Sequence, residues 1–126
     1  MANRLEDLDV YNLSADFAEK IWTIVLIWDP FSKSTIGKQL VRSADSISAN
    51  IAEGFGRYHY KENKNFCYFS RGSILETKSW IKKSANRNLI TTIEFENLIE
   101  QLELIHIKLN AYIKHIGKLA ITKTDD

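Results

Sequence analysis

The sequence QLVRSADSISANIAEGFGR at residues 39–57 decides the fold of this chain. At 100° per residue, one set of apolar side chains falls within roughly 80° of arc, namely Ile36, Leu40, Ala44, Ile47 and Ile51. This is typical of the inward stripe of an amphipathic helix. Polar side chains fill the next roughly 60° of the helix. They are Gln39, Ser43, Ser46 and Asn50. Because burying a polar group without a hydrogen bond is costly, this second stripe predicts hydrogen bonds to a neighbouring helix.

The composition indicates a single all-α domain over residues 1–126. The chain is long enough to bury a core, and it has one proline and five glycines. Its longest apolar run, residues 24–28, is far shorter than the about 18 apolar residues that a membrane span needs. Acidic residues near the N-terminus argue against a signal peptide, and a single cysteine fits a reducing compartment. We therefore expect a cytoplasmic protein.

Apolar periodicity and helix-stop signals predict four helices. Asp29 ends the first, because it precedes Pro30 and the residue before a proline avoids the helical region. Gly54 marks the end of the second, and Thr91 with Glu94 has the form of a capping box that starts the fourth. The helices are predicted at about residues 9–28, 35–55, 60–86 and 92–117, with a flexible tail at 120–126. Such lengths with short loops predict an antiparallel up-down-up-down four-helix bundle.

The third predicted helix carries a seam made largely of small hydroxyl residues. Its members follow alternating spacings of four and three residues, namely Phe66, Ser70, Ser73, Thr77, Trp80 and Ser84. Alternation of this kind is typical of a coiled-coil seam. Because small side chains fill it, the sequence predicts that a neighbouring helix approaches this one closely.

Three of the predicted helices carry a second apolar stripe, on a different face of the helix from the inward stripe. Its members are Tyr11, Trp22 and Leu26 on the first helix, Tyr68 and Leu75 on the third, and Leu104 and Ile107 on the fourth. A monomeric bundle would expose these side chains, and contiguous exposed apolar surface usually marks an interface. The sequence therefore predicts a homo-oligomer, although wider burial inside the bundle would account for some of these residues.

Positive charge is concentrated between residues 33 and 87, although the net charge is only +1. Four basic residues of the third helix fall within about 40° of arc, nearly opposite the predicted seam, and span roughly 27 Å. They are Lys64, Arg71, Lys78 and Lys82, with Arg57 nearby. Such a stripe predicts salt-dependent, sequence-tolerant binding of RNA or DNA. Two alternatives stay open: a solvated lysine face, and an adaptor that binds another protein through the acidic stretch 94–103.

One spacing is that of a metal-binding unit. Glu103 and His106 form the Glu-x-x-His unit that di-iron bundle proteins use, but the sequence has no second copy. His106 also falls on the apolar stripe of the fourth helix. Cys67 stands between two aromatic residues and has no evident activating base. We therefore expect no catalytic residue, no metal and no cofactor, with a metal-dependent bundle enzyme as a remote alternative.

A longer pattern carries a family resemblance. It reads QLxRxAxSIxxNIAEGxGR at residues 39–57, followed by Phe66 and by SxGSxxE at residues 70–76. This pattern resembles the bacterial four-helix-bundle family whose founding members are encoded in intervening sequences of 23S ribosomal RNA genes. The resemblance covers about residues 5–118. More distantly, the chain is similar to the accessory variability proteins of diversity-generating retroelements, which bind nucleic acid and a reverse transcriptase.

The resemblance implies an up-down four-helix bundle that assembles as a homopentamer around a central channel, in a family whose members mostly have no assigned biochemical role. Seven polar residues match the family pattern, namely Gln39, Arg42, Ser46, Asn50, Glu53, Ser73 and Glu76. One interpretation is that four of them bond across the seam between the second and third helices and fix its register, namely Asn50, Glu53, Ser73 and Glu76. The other interpretation makes them a binding site. Residues 57–60, RYHY, depart from the small Ser or Thr cap expected before the third helix.

Overall fold

The computed structural model describes residues 4–122 and is built from α-helices. After a 3₁₀ turn at Leu5–Asp7, four long helices follow in chain order. They are α1 (Asp9–Leu26), α2 (Lys38–Phe55), α3 (Tyr60–Asn86) and α4 (Thr92–Thr122). The predicted all-α four-helix bundle is confirmed, and the described residues contain no strand. Within the described residues, no helix combines the length and apolar character that crossing a membrane requires.

The segment before α2 is helical from Pro30, five residues earlier than the predicted start. One α-helical turn, Pro30–Ser32, and one π-helical turn, Lys33–Gly37, lead without a break into α2. The side chain of Asp29 accepts a hydrogen bond of 3.0 Å from the Ser32 backbone N–H. Asp29 is therefore the N-cap and Pro30 the first helical residue, where a missing N–H costs nothing. The dipeptide predicted to end the first helix therefore starts the next one, since α1 already ends at Leu26.

The last helix is longer than predicted, since α4 continues to Thr122 rather than ending near residue 117. The start of the predicted flexible tail is therefore helical, and residues 123–126 of that tail lie outside the described residues. Gly117 does not end the helix, although an interior glycine costs about 1 kcal/mol. Ile116 is buried and Leu119 is partly buried, so apolar packing continues past the glycine.

The core is formed by the inward faces of all four helices. Its largest fully buried side chains are Phe17, Ile21, Leu40, Ile47, Ile51, Ile74, Ile81, Leu98, Leu102, Ile105, Leu109 and Ile116. Leucine, isoleucine and phenylalanine therefore supply most of the apolar area removed from water, which is the main favourable term in folding.

The seam of α3 is rotated relative to the predicted one. Its buried positions, again spaced four and three apart, are Asn63, Cys67, Ser70, Ile74, Thr77, Ile81 and Ser84. Ser70, Thr77 and Ser84 belong to both patterns. Phe66 and Trp80, which were predicted in the seam, are only partly buried at its flank. We attribute the difference to size, because bulky aromatic rings between α2 and α3 would hold these closely packed helices apart.

Two glycines allow neighbouring helices to come unusually close. A Cβ atom on Gly54 would lie 2.7 Å from Asn63 Oδ1 and 2.9 Å from the Asn63 carbonyl oxygen, so α2 and α3 are in backbone contact there. On Gly37 it would lie 2.7 Å from Val25 Cγ1, so the π-helical turn packs directly on α1. Real Cβ atoms almost never make contacts this short. Both positions therefore require glycine for packing.

Candidate functional site

Four family-pattern residues of α2 make their side-chain hydrogen bonds within their own helix. Arg42 Nη2 donates to Gln39 Oε1 at 2.6 Å, Ser46 Oγ donates to the Arg42 carbonyl at 2.9 Å, and Asn50 Nδ2 donates to the Ser46 carbonyl at 2.8 Å. The predicted hydrogen bonds from Gln39, Ser46 and Asn50 to a neighbouring helix are therefore wrong. A polar side chain at the edge of a helix can satisfy itself on the preceding turn, and helix periodicity does not show that choice.

Of the family-pattern residues that remain, only Glu76 reaches across to another helix. Its carboxylate lies 3.8 Å from Arg42 Nη2 of α2, and it accepts a 3.2 Å hydrogen bond from Trp80 Nε1 of its own helix. Ser73 donates to the Phe69 carbonyl of its own helix. Glu53 pairs at 2.9 Å with Arg57, four residues further on.

Hydrogen bonds that do cross from α3 to α2 lie deeper, among fully buried hydroxyls. Ser70 Oγ donates to the Ile47 carbonyl at 2.8 Å, and Thr77 Oγ1 lies 2.9 Å from Ser43 Oγ. Ser43 in turn donates to the Leu40 carbonyl. From Ser70 to Thr77 along α3, the bonded residue of α2 changes from Ile47 back to Ser43. This order is expected for two antiparallel helices. These buried polar groups are satisfied, and the arrangement is that of a structural seam.

Asn63 is a buried polar residue that the sequence analysis missed. Its Nδ2 donates to Tyr112 Oη at 3.2 Å, and its Oδ1 accepts from the Cys67 thiol at 3.7 Å. The spacing of Asn63, Cys67 and Ser70 continues the heptad of α3, and this spacing was the available signal. Burial raises the pKa of Cys67 to about 12 and also raises the pKa of Tyr112. The thiol therefore stays protonated at neutral pH and is a poor nucleophile.

The basic stripe of α3 lies along the edge between α3 and α4. Arg71 Nη1 donates to Asn110 Oδ1 at 2.9 Å, and its guanidinium stands 5.1 Å above the Tyr68 ring. Lys78 Nζ donates to Glu103 Oε1 at 2.8 Å. The prediction that the stripe lies nearly opposite the seam is wrong, because it assumed a seam that contains Phe66 and Trp80 rather than the observed seam with Cys67 and Ile74. We call the row Lys64, Arg71, Lys78 and Lys82 the basic edge.

Positive charge is not uniform along the basic edge. Glu103 pairs with Lys78, and the hydrogen bond and positive charge of Lys78 lower the pKa of Glu103 below its ordinary value. Arg71 instead bonds a neutral amide, so its charge is retained. Lys64 lies beside α4 near Gly117, where its Nζ is 3.7 Å from the position of an added Cβ. The half of the edge that carries Lys64 and Arg71 is therefore the more positive.

Arg57 is not part of the basic edge. Its guanidinium pairs with Glu53 at 2.9 Å and with Glu62 at 3.9 Å, and it stands 4.7 Å above the Phe66 ring. Phe66 flanks the α2 side of α3, whereas the basic edge faces α4. The structure therefore separates Arg57 from the other four predicted nucleic-acid contacts.

The Glu-x-x-His unit, which only the remote alternative of a metal-dependent enzyme would use, has its glutamate in an ion pair. Glu103 is an ion-pair partner of Lys78, and His106 is partly buried on α4. Among the described residues 4–122, no group of three or more His, Cys, Asp and Glu side chains could hold a metal ion.

Six of the seven predicted interface residues are exposed on the subunit surface, between 40% and 66%. They are Trp22, Leu26, Tyr68, Leu75, Leu104 and Ile107. Tyr11 differs, because it is partly buried and packs against the core. The core is complete without these six side chains, so their exposure is not explained by the packing of one subunit.

An apolar groove runs between α1 and α2. Its cavity volume is about 500 Å³, and its floor is formed by Trp22, Val25, Leu26, Gly37 and Val41. Four charged residues line its sides, namely Lys33, Lys38, Arg42 and Asp45. Burial and the nearby charge of Glu19 both raise the pKa of Asp45. We call this feature the α1–α2 groove.

Comparison with known proteins gives a family and a fold. A family model described as 23S rRNA-intervening sequence protein matches residues 6–111. A crystal structure of a protein with unknown function from the S23 ribosomal protein family of Bacteroides thetaiotaomicron matches with a TM-score of 0.75 and 24% sequence identity. The match covers 83% of this chain and 95% of that chain, and at this identity it shows the fold alone. No curated protein matches the chain, and neither match indicates an enzyme family.

Proposed function

The chain belongs to the family of 23S rRNA-intervening sequence proteins, and on this premise we propose that it is a non-enzymatic, homo-oligomeric interaction scaffold. The resemblance described above implies a homopentamer. We further propose that the scaffold presents the basic edge of each subunit to RNA or DNA.

One observation carries the proposed assembly, namely the exposed apolar surface outside a finished core. Trp22 and Leu26 are 54% and 52% exposed beside the α1–α2 groove, and Ile107 is 66% exposed on α4. Leaving apolar area in water forgoes about 25 cal/mol per Å². Contact with further copies would recover that free energy, and an oligomer explains several such patches on one small subunit.

Charge and aromatic content support the proposed nucleic-acid contact. Lys64 and Arg71 form the more positive half of the basic edge, and Tyr68 stacks on the Arg71 guanidinium. Cations bind backbone phosphates without reading sequence, and an exposed aromatic ring can stack on an unpaired base. Repetition of the edge in a ring would add avidity, since each further contact becomes intramolecular.

Native mass spectrometry tests the assembly. Two adjacent residues provide a matched pair of variants: Leu26, the last residue of α1, and Ile27, its C-cap. Leu26→Asp introduces a charge into the predicted interface and should shift the protein to monomers. Ile27→Asp, which changes an 85% exposed residue outside that interface, should leave the mass of the complex unchanged. A wild-type protein that is a monomer at micromolar concentration would overturn the proposal.

Salt-dependent binding of single-stranded RNA tests the basic edge. We expect Lys64→Glu/Arg71→Glu to weaken binding, measured by fluorescence anisotropy, and to reduce the slope of log affinity against log salt by about 1 to 2. The double variant Lys20→Glu/Lys83→Glu changes the net charge equally at other exposed positions and should bind like the wild type. Binding that responds neither to salt nor to the first variant would contradict this contact. It would favour the alternative of a protein–protein adaptor.

A further inference from the structure

The α1–α2 groove combines an apolar floor with mainly basic sides. Trp22, Leu26 and Val41 line it together with the exposed bases Lys33 and Lys38. The remaining charged lining is Arg42, which also pairs with Glu76, and the single acid Asp45. Three bases against one acid leave an excess of positive charge around the apolar floor. A matching occupant would be a helix face that is apolar and acidic.

The outward face of α4 has this composition. At spacings of three and four residues, one face carries Ile93, Glu96, Glu100, Leu104 and Ile107, and all five are exposed. Ile93 is 70% exposed and Ile107 is 66% exposed. Residues spaced in this way stack on one side of a helix. We call these five residues the acidic face of α4.

The groove and the acidic face lie towards the same end of the bundle. The start of the helical segment before α2 and the connection between α3 and α4 meet there, because Phe31 and Thr35 line one cavity together with Arg87 and Leu89. Nearby, Ile24 of α1 lines another cavity with Glu94 of α4. The start of the acidic face, at Ile93 and Glu96, is therefore level with the groove, whereas Leu104 lies further along the bundle, beside Leu13 of α1. A head-to-tail contact closes into a ring when the rotation between successive copies closes, and it produces a filament when that rotation does not close.

We propose that the acidic face of α4 of one copy occupies the α1–α2 groove of the next copy. Leu104 and Ile107 pack on the apolar floor, and Glu96 and Glu100 stand opposite Lys33 and Lys38. Each copy offers one groove and one face, so the contact is heterologous and repeats around the ring. This inference rests on the proposed homo-oligomer and names the two surfaces that form it.

Charge reversal on the two surfaces tests the pairing. The groove variant is Lys33→Glu/Lys38→Glu, and the face variant is Glu96→Lys/Glu100→Lys. One exposed charge pair contributes little by itself, but charge reversal replaces two attractive pairs by repulsive ones. Each double variant should therefore raise the dissociation constant of the assembly about tenfold or more, measured by analytical ultracentrifugation. The quadruple variant has reversed charges on both surfaces and should assemble like the wild type. Lys61→Glu/Lys83→Glu, at two exposed positions outside both surfaces, is the control for a changed net charge, and circular dichroism checks that every variant is folded.

The outcomes separate this inference from the proposed function. If the wild type is a monomer, the homo-oligomer itself is wrong, and the pairing with it. If the wild type assembles but neither double variant differs from the control, the pairing is overturned while the scaffold stands. The pairing is also overturned, and the scaffold stands, if both double variants weaken assembly and the quadruple variant does not restore it. Weakening by each double variant together with recovery in the quadruple variant establishes the pairing.

Discussion

Replacing either of two glycines by alanine should change stability in opposite directions. Gly54 lies where α2 meets α3, and a Cβ atom there would come within 2.9 Å of the Asn63 carbonyl oxygen and of Phe66 Cβ. The contact with the carbonyl oxygen involves backbone, so a rotamer change cannot relieve it. Gly72 lies on the exposed side of α3, and an added Cβ atom would meet nothing within 4 Å.

The expected magnitudes follow from two effects. Alanine favours a helix over glycine by about 1 kcal/mol, and this gain applies at both positions. Overpacking costs about 1–3 kcal/mol, and it applies only at Gly54, where α2 and α3 must move apart. We therefore expect Gly72→Ala to stabilise the protein by about 0.5–1 kcal/mol and Gly54→Ala to destabilise it by about 1 kcal/mol. Because the helix preference cancels between the two variants, their difference measures the steric cost alone.

Urea unfolding followed by circular dichroism measures both variants. The curves are to be recorded at several protein concentrations, since any assembly stabilises the folded state by mass action. At the lowest concentration the free energy of unfolding of Gly54→Ala should be below that of the wild type. If Gly54→Ala is as stable as Gly72→Ala, the close approach of α2 and α3 is not a constraint, and our explanation of the glycine in the NIAEG motif is refuted.

Three further predictions follow from individual contacts. Thr77→Val keeps the shape of the side chain but removes the hydroxyl beside Ser43, so urea unfolding should show a loss of about 1–2 kcal/mol. Cys67 should not react with a thiol reagent such as dithionitrobenzoate until the protein unfolds, because burial raises its pKa to about 12; fast labelling of native protein would contradict this. Asp29→Ala should lower the melting temperature at neutral pH. The hydrogen bond from Ser32 lowers the pKa of Asp29. The stability difference between wild type and variant is therefore complete above the ordinary value of 3.8 and disappears as pH falls through the lowered pKa. A stability difference that persists in acid would exclude the cap.

The sequence was sufficient to predict the four helices, because each carries an apolar stripe of helical period. The predicted helix ends are wrong where tertiary packing outweighs the local sequence signals. The first helix ends at Leu26, two residues before the predicted end, and the Asp29-Pro30 pair predicted to stop it is the N-cap and first residue of the next helix. At the C-terminal end, packing of Ile116 and Leu119 at the end of the bundle carries α4 past Gly117.

The rotation of α3 was the main feature that the sequence could not settle. Ser70 and Thr77 fit both possible seams, and only the sizes of their neighbours distinguish the two. Once Cys67 faces inward in place of Phe66, the basic edge moves from the side opposite the core to the boundary with α4. Whether Lys78 is free for phosphate or paired with Glu103 depends on this rotation. A helical wheel for one helix does not contain that information, because it depends on the facing helix.

Assembly through the α1–α2 groove and binding along the basic edge use neighbouring faces of α4. Leu104 of the acidic face also lines a cavity with Leu13 and Lys20 of α1, whereas Asn110 bonds to Arg71 of α3. Ile107 of the acidic face is three residues from Asn110, so docking of this face places the neighbouring copy close to the part of the basic edge that carries Arg71. A variant that only prevents assembly should keep the contacts of a single edge with phosphates and lose the avidity of the ring. The two proposed properties can fail independently, since neither depends on the residues that carry the other.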